Sequence, residues 1–99
     1  MIILAGTVRA PVDKLNAAQS AFTAMIAATR AEPGCVSYSF AHDVLEPGLV
    51  RIFEVYIDQA AVDFHRSSAH FAAWRARWPE LGIGDRDMSQ YEVARVQKL

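Results

Sequence analysis

The sequence predicts an α+β fold in which a four-stranded antiparallel sheet carries helices on one face. Two observations support this prediction. Apolar residues recur at helical spacing in two stretches, and four other stretches are rich in β-branched and aromatic residues. These stretches follow one another as strand, helix, strand, strand, helix and strand. With right-handed crossovers, this β-α-β-β-α-β order gives a ferredoxin-like arrangement.

The first strand and the first helix have clear signals. Residues 2–9 are apolar and β-branched, and Pro11 ends this strand. Residues 13–31 are rich in alanine, which favours a helix. One stripe at helical spacing is made of Leu15, Ala18, Phe22, Met25, Ile26 and Thr29. Pro33 and Gly34 predict that the helix stops before them.

A hairpin is predicted next. Residues 35–44 alternate strictly, and one face consists of Val36, Tyr38, Phe40, His42 and Val44. Glu46, Pro47 and Gly48 predict a turn before the next strand, residues 49–57. That strand is apolar on both faces, which is typical of a strand buried on both sides. Because the helices can cover only one side, we expect a second copy of the chain to cover the other.

The second helical region has two candidate caps. Asp58 can cap a helix over residues 59–66, and Ser67 or Ser68 can cap a further segment over residues 69–78. Its apolar stripe is formed by Phe64, Phe71, Trp74 and Trp78. We therefore expect the aromatic side of this region to face the sheet.

The last part of the chain is predicted as a loop and a strand. Pro79 should end the helical region, residues 80–87 should form a loop with two glycines, and residues 88–98 should form the last strand. There is no internal repeat, low-complexity tract or linker. Residues 1–99 are therefore predicted to form a single domain.

Composition narrows the functional classes. The hydrophobic fraction of 53% is high for so small a domain and favours a second buried face, most simply that of a homodimer. The net charge of -1 argues against binding to nucleic acid or to an anionic membrane surface. No apolar run approaches the roughly 18 residues of a membrane span, and the first residues lack the charged start of a signal peptide. With its single cysteine, Cys35, the chain fits a cytoplasmic location.

The histidines are the first candidates for chemistry. His65 and His70 are five residues apart, which does not place both on one face of a continuous helix, and His42 lies on a strand. A metal site needs more ligands than these, so we expect none. One interpretation is a half-buried and an exposed histidine with only structural roles. The other is a general base, and His65 is favoured because the small Ala61, one turn earlier, leaves space beneath it.

A carboxylate and several aromatic residues are the remaining candidates. Glu54 lies in an apolar strand, where it could form an ion pair with Arg51 or Arg95, or line a pocket with a raised pKa. Most aromatic residues are expected in the core, with Trp74 the better candidate for a pocket wall. The sequence contains no G-x-G-x-x-G and no Walker lysine, so no nucleotide or flavin site is expected.

The chain resembles the antibiotic biosynthesis monooxygenase family over nearly its whole length. The resemblance is carried by E-P-G-C-V-S-Y at residues 32–38, F-E-V-Y at 53–56 with Asp58 and Ala61, and H-x-x-S-x-H-F at 65–71. It implies a dimer formed through the sheet faces and a pocket between sheet and helices. Members similar to this chain oxidise aromatic polyketides or hydroquinones with O2, without metal or flavin.

The resemblance also implies roles for individual residues. His65 matches the helix histidine of the family and would be the base. Five residues would contact the substrate: Thr7, Tyr38, Glu54, Phe71 and Trp74. One branch of the family degrades haem with an asparagine on strand one, a tryptophan on the second helix and a later histidine. This chain has Thr7 and His65 in the first two places and no helix histidine after His70, so haem degradation is not expected.

The expected function is therefore that of a cofactor-independent monooxygenase acting on a small quinol or phenolic compound with O2. Two alternatives remain open at this point. The same pocket could belong to a non-catalytic dimeric module that binds an apolar metabolite, or to an isomerase of a small oxygenated metabolite.

Overall fold

The computed structural model describes all residues 1–99 and confirms the predicted α+β fold. The elements are β1 (Ile2–Arg9), α1 (Leu15–Arg30), β2 (Cys35–His42), β3 (Leu49–Tyr56), α2 (Gln59–Arg66), α3 (Ala69–Ala76), α4 (Trp78–Leu81) and β4 (Gly84–Glu92). The strands form one antiparallel sheet in the order β2-β3-β1-β4, which is the ferredoxin-like order. No helix is both long and apolar enough to cross a membrane.

The segment predicted as a loop between residues 80 and 87 is instead structured. Pro79 lies in the first turn of the short helix α4. Backbone N–H groups in a first turn have no partner within the helix, so the N–H that proline lacks is not needed there. Gly82 ends α4 in the left-handed conformation, with φ of 67°. Strand β4 then begins at Gly84, four residues earlier than predicted, because the backbone from Gly84 onward pairs with β1. It ends at Glu92 and not near Lys98.

The core lies between the inner face of the sheet and the helices. The main cluster joins Phe22 and Met25 of α1 to Ile52 of β3 and Trp74 of α3. A smaller cluster under α2 consists of Ile2, Leu4, Tyr56 and Val62. Burial of this apolar surface provides the main driving force for packing the helices on the sheet.

Strand β2 does not alternate strictly. Its pairing with β3 shifts between Cys35, which lies opposite Tyr56, and Ser37, which lies opposite Val55. The extra residue, Val36, is a β-bulge and reverses the alternation at the start of the strand. Cys35 therefore packs against the core, whereas Val36 is 54% exposed. The prediction that Val36 shares a face with Tyr38 is wrong.

The outer face of the sheet carries no helix. Phe53 and Ile57 of the β3 region and Tyr91 of β4 are exposed, although Leu49 and Val55 on the same side of β3 are buried. In the isolated chain, β3 is thus covered fully on its inner side and only partly on its outer side. The homodimer remains a prediction, and this outer face is the surface it requires.

Candidate functional site

The turn after α1 packs directly on α2. A Cβ atom added at Gly34 would lie 2.4 Å from Cβ of Ala61, so only glycine allows this approach. The small Ala61 is expected to leave space beneath His65, but Gly34 packs against Ala61 and occupies that space. The close contact has another consequence, since it brings the neighbouring Glu32 beneath α2.

A break between α2 and α3 directs both histidines of the region to the same place. The Asp58 side chain caps α2 by accepting from the Ala61 N–H at 2.9 Å, as predicted. Of the two candidate serines, Ser68 is the cap of α3: its hydroxyl accepts from the Phe71 N–H at 3.2 Å and donates to the His65 carbonyl at 2.6 Å. The chain turns at this serine, so that imidazoles five residues apart converge.

The two imidazoles meet at a buried carboxylate. Glu32 Oε2 lies 2.8 Å from His65 Nδ1 and 2.5 Å from His70 Nε2. Glu32 is 6% exposed and His65 is 2% exposed, whereas His70 is half-buried. An ionised carboxylate only accepts hydrogen bonds, so both ring nitrogens carry the proton. In a neutral His65, Nε2 is then the free acceptor.

The other side of His65 faces a second carboxyl group. His65 Nε2 lies 3.8 Å from Glu54 Oε1, and the Tyr56 hydroxyl donates to that oxygen at 2.7 Å. Three aromatic rings surround the imidazole with centroid distances of 5.3–5.5 Å, those of Tyr38, Tyr56 and Phe71. The site is therefore a chain of polar groups, from Glu32 through His65 to Glu54 and Tyr56, enclosed by aromatic rings.

Burial sets the protonation of this chain. It lowers the pKa of His65 below its ordinary value and outweighs the opposing effect of Glu32. It also raises the pKa of Glu54 to about 6, although the Tyr56 hydrogen bond opposes the shift. The pKa values of Tyr38 and Tyr56 are raised, first by burial and then by the charge of Glu54. At neutral pH His65 is thus an uncharged base, and both tyrosines keep their protons.

A small cavity lies beside His65 and Glu54. Its volume is about 30 Å³, and its walls include Tyr38, Phe71 and Trp74. A cavity of roughly 10–15 Å³ can hold one water molecule, so this cavity has room for water but not for an aromatic ring. The cavity walls must move apart before an aromatic ring can enter. The full lining is Val8, Tyr38, Ile52, Glu54, His65, Phe71, Trp74, Arg75, Trp78, Arg86 and Met88.

Five of the six predicted site residues line this cavity together, and the sixth does not. Thr7 lies between Arg51 and Asp87 in the sheet, on the face opposite the helices. The ion pair suggested between Glu54 and Arg51 is not formed, since Arg51 pairs with Asp43 at 2.8 Å. Arg95 is also not a partner of Glu54, because it donates to a side chain in its own segment. His42 is exposed on β2, away from this cluster.

Sequence reasoning missed the residue that organises the site. In the sequence Glu32 is only the first residue of the motif at residues 32–38, and its contact with His65 spans 33 residues. The available signal was an acidic residue next to a Pro-Gly pair, which also occurs in ordinary exposed turns. His70 was expected to be structural or exposed, and its role in the cluster appears only once Glu32 is placed. Trp78, expected to be structural, also lines the cavity.

The ligand atoms of Glu32, His65 and His70 all lie within 4.8 Å of one another, which is close enough to consider a metal ion. Two imidazoles and a carboxylate are a plausible donor set for zinc. Ligand atoms at tetrahedral angles around zinc are about 3.4 Å apart, given Zn–N and Zn–O bonds of roughly 2.1 Å. The carboxylate oxygen approaches both nitrogens more closely, at 2.8 and 2.5 Å. These distances fit direct hydrogen bonds.

The fold and sequence have known relatives. The Deinococcus radiodurans structure of a protein whose name proposes an antibiotic biosynthesis monooxygenase superposes with a TM-score of 0.92, at 23% identity, covering 100% of this chain and 98% of that one. At that identity it supports the fold. The structure of Rv0793 from Mycobacterium tuberculosis is 30% identical, with a TM-score of 0.77, covering 98% of this chain and 96% of that one.

Sequence comparison finds relatives of the same kind as the structural comparison. The uncharacterised protein sll1783 of Synechocystis sp. is 32% identical over 98 residues, covering 99% of this chain and 67% of that protein. Rv0793, whose name proposes a monooxygenase, is 39% identical over 69 residues, covering 70% of this chain and 67% of its own length. The sequence pattern of the antibiotic biosynthesis monooxygenase family matches residues 1–77. The chain belongs to the antibiotic biosynthesis monooxygenase family.

Proposed function

We propose that the protein is a cofactor-independent monooxygenase that oxidises a small quinol or phenolic compound with O2. Family membership and the names of its relatives support a monooxygenase-like role. One observation carries the finer proposal: a neutral histidine, fixed by a buried carboxylate, lies on a cavity with aromatic walls. This arrangement suits the removal of a proton from an aromatic hydroxyl group.

In the proposed reaction His65 Nε2 accepts the hydroxyl proton of the substrate. Glu32 holds the imidazole through Nδ1 at 2.8 Å, and Glu54 lies 3.8 Å from Nε2. The imidazolium formed in this step would have a carboxyl group at each nitrogen, which stabilises its charge when those groups are ionised. Burial keeps the resting imidazole neutral, so the base is ready at neutral pH.

The deprotonated substrate supplies the electrons for oxygen chemistry. For a hydroquinone, one atom of O2 forms a bond to a ring carbon and the O–O bond breaks. The other atom leaves as water with two hydrogens from the substrate, and the product is a hydroxyquinone. The protein would contribute the base and an enclosure with aromatic walls, which limits the access of water to the activated ring.

Substrate entry would require the aromatic wall to open. The present volume is about 30 Å³, and Phe71, Trp74 and Trp78 form much of the wall on α3 and α4. Phe71 and Trp78 are only partly buried, so their side chains are the ones with room to rotate outward. We therefore place the entry route between α3–α4 and the inner face of the sheet.

Oxygen uptake with a panel of hydroquinones and anthrones tests the proposal. We expect uptake above the spontaneous rate for at least one substrate, and a decrease of about 10²–10⁴-fold in His65→Gln, the usual contribution of a general base. His42→Gln, which changes an exposed histidine outside the site, is the matched control and should keep full activity. Uptake that never exceeds the spontaneous rate contradicts the reaction, and full turnover by His65→Gln contradicts the role of His65.

A specific observation favours isomerisation as a second candidate. The cavity holds a neutral base, His65, and a carboxyl group, Glu54, whose pKa of about 6 lets it exist in both forms near neutral pH. A base and an acid in one cavity can move a proton between two carbon atoms of one substrate. Incorporation of deuterium from solvent into a substrate under anaerobic conditions would identify this activity.

A further inference from the structure

The arginines of the chain fall into two groups. Of the eight arginines, five donate a side-chain hydrogen bond to a carboxylate, an amide oxygen or a backbone carbonyl: Arg9, Arg30, Arg51, Arg77 and Arg95. The other three, Arg66, Arg75 and Arg86, donate none. These three are also neighbours, since the charges of Arg86 and Arg66 both act on the pKa of Arg75 and both act on that of Glu54.

This unpartnered group lies at the His65 cavity. Arg75 and Arg86 line it directly, and Arg66 follows His65 on α2. The Arg75 guanidinium lies 4.2 Å from the ring centroid of Trp78 and 5.8 Å from that of Phe71, so it stacks on the aromatic wall. All three arginine side chains are exposed and accessible to a ligand.

The cavity has more donors than acceptors. Glu54 is the only acidic residue in its lining, and neither Arg75 nor Arg86 forms an ion pair with it. The Nε1–H of Trp78, another lining residue, is buried and has no acceptor. The single carboxyl group of Glu54 cannot balance three neighbouring positive charges, and a bound anion would relieve the repulsion that remains among them.

We propose that the molecule bound at this cavity carries an anionic oxygen group, a carboxylate or a phosphate, held by Arg75 and Arg86. The ring would enter toward His65 while the acidic group stays at the mouth. Guanidinium groups bind such oxyanions through two parallel hydrogen bonds, which fixes orientation as well as affinity. This inference rests on the proposed function for the position of the ring, and it narrows the substrate to an acidic phenol or quinol.

Anaerobic binding separates this inference from catalysis. Trp74 and Trp78 are the only tryptophans and both line the cavity, so their fluorescence reports occupancy. Hydroquinone and 2,5-dihydroxybenzoate form a matched pair that differs by one carboxylate, and 2,5-dihydroxyphenyl phosphate provides the phosphate arm. We expect at least one acidic probe to bind about 10–100-fold more tightly than hydroquinone at low salt, as hydrogen bonds to charged groups predict.

Variants identify the arginines responsible. Arg75→Gln and Arg86→Gln should each remove most of the preference for the acidic probe, measured as the ratio of its affinity to the affinity of the same variant for hydroquinone. Arg75→Lys and Arg86→Lys should retain only part of it, because lysine keeps the charge but cannot form the two parallel hydrogen bonds. Arg95→Gln, outside the cavity lining, is the control. Equal binding of neutral and acidic probes, or a preference that survives both glutamine variants, overturns the inference. An arginine-dependent preference without oxygen uptake would support the anion site and contradict the monooxygenase proposal.

Discussion

Glu32 Oε2 lies 2.8 Å from His65 Nδ1, a contact made inside the protein between residues 33 positions apart. This hydrogen bond fixes the tautomer of the imidazole and leaves Nε2 available beside the cavity. The same carboxylate holds His70 on its other side, at 2.5 Å.

Glu32→Gln should lower turnover and shift its pH dependence. The substitution removes the negative charge that raises the pKa of His65, so that pKa falls further and the acid limb of kcat/KM moves to lower pH. Loss of a buried charged hydrogen bond should also cost about 1.5–3 kcal/mol of stability. Steady-state rates from pH 5 to 8 and urea unfolding measure the two effects. Glu46→Gln, which breaks an exposed ion pair, is the control. An acid limb that moves to higher pH in Glu32→Gln would contradict the effect of Glu32 on His65.

Glu54→Gln should stabilise the protein in a pH-dependent way. The pKa of Glu54 is about 6 in the folded chain and 4.5 ordinarily, so above pH 6 the fold contains a buried charge that it disfavours by about 2 kcal/mol. Below pH 4.5 both states hold the proton and this cost disappears. Urea unfolding should show the variant about 2 kcal/mol more stable at pH 8 and nearly equal near pH 4. The same difference in stability at both pH values would contradict a raised pKa of Glu54.

Gly34→Ala should destabilise the chain and disturb the site together. The added methyl group would meet Ala61 at 2.4 Å, and overpacking of this kind costs about 1–3 kcal/mol. Because the clash is between two methyl groups, the double variant Gly34→Ala/Ala61→Gly should recover part of the loss. Gly84→Ala is the matched control, since a Cβ atom there meets nothing within 4 Å. Urea unfolding and oxygen uptake are the measurements. If the double variant recovers neither stability nor activity, the clash with Ala61 is not the cause of the loss.

Phe53→Lys should convert the predicted homodimer into a monomer. Phe53 is 43% exposed on the outer sheet face, and a charge placed there would be buried in an interface between two sheets. Sedimentation at micromolar concentration should give twice 11.0 kDa for the unmodified chain and 11.0 kDa for the variant. Phe64→Lys, at an exposed phenylalanine on α2, should leave the dimer intact. An unmodified chain that sediments as a monomer would contradict the dimer.

The fold follows from patterns that are local in the sequence. The helical stripe of α1, the turn at Gly48 and the cap at Asp58 each depend on residues a few positions apart, and the structure contains all three. The start of β4 and the bulge at Val36 were missed, because strand pairing decides both. Pairing with β1 extends β4 back to a glycine that, taken alone, indicates a loop.

The candidate site likewise contains residues that can be recognised from the sequence and residues that cannot. His65, Glu54 and the aromatic walls are recognisable by residue type, and the fold brings them together. Glu32 is not recognisable, because its significance depends on Gly34 packing against Ala61. Thr7 was assigned through the resemblance alone, and the alternation of β1 places it on the other face of the sheet.

Isotope labelling tests the central claim most directly. A hydroquinone that the protein oxidises is incubated under ¹⁸O₂, and the product is reduced at once to its quinol form to limit exchange of carbonyl oxygen with water. The proposed reaction predicts one labelled oxygen atom in each product molecule, formed by the unmodified chain and by His42→Gln and lost in His65→Gln. A product formed at the same accelerated rate without the label would contradict oxygen insertion.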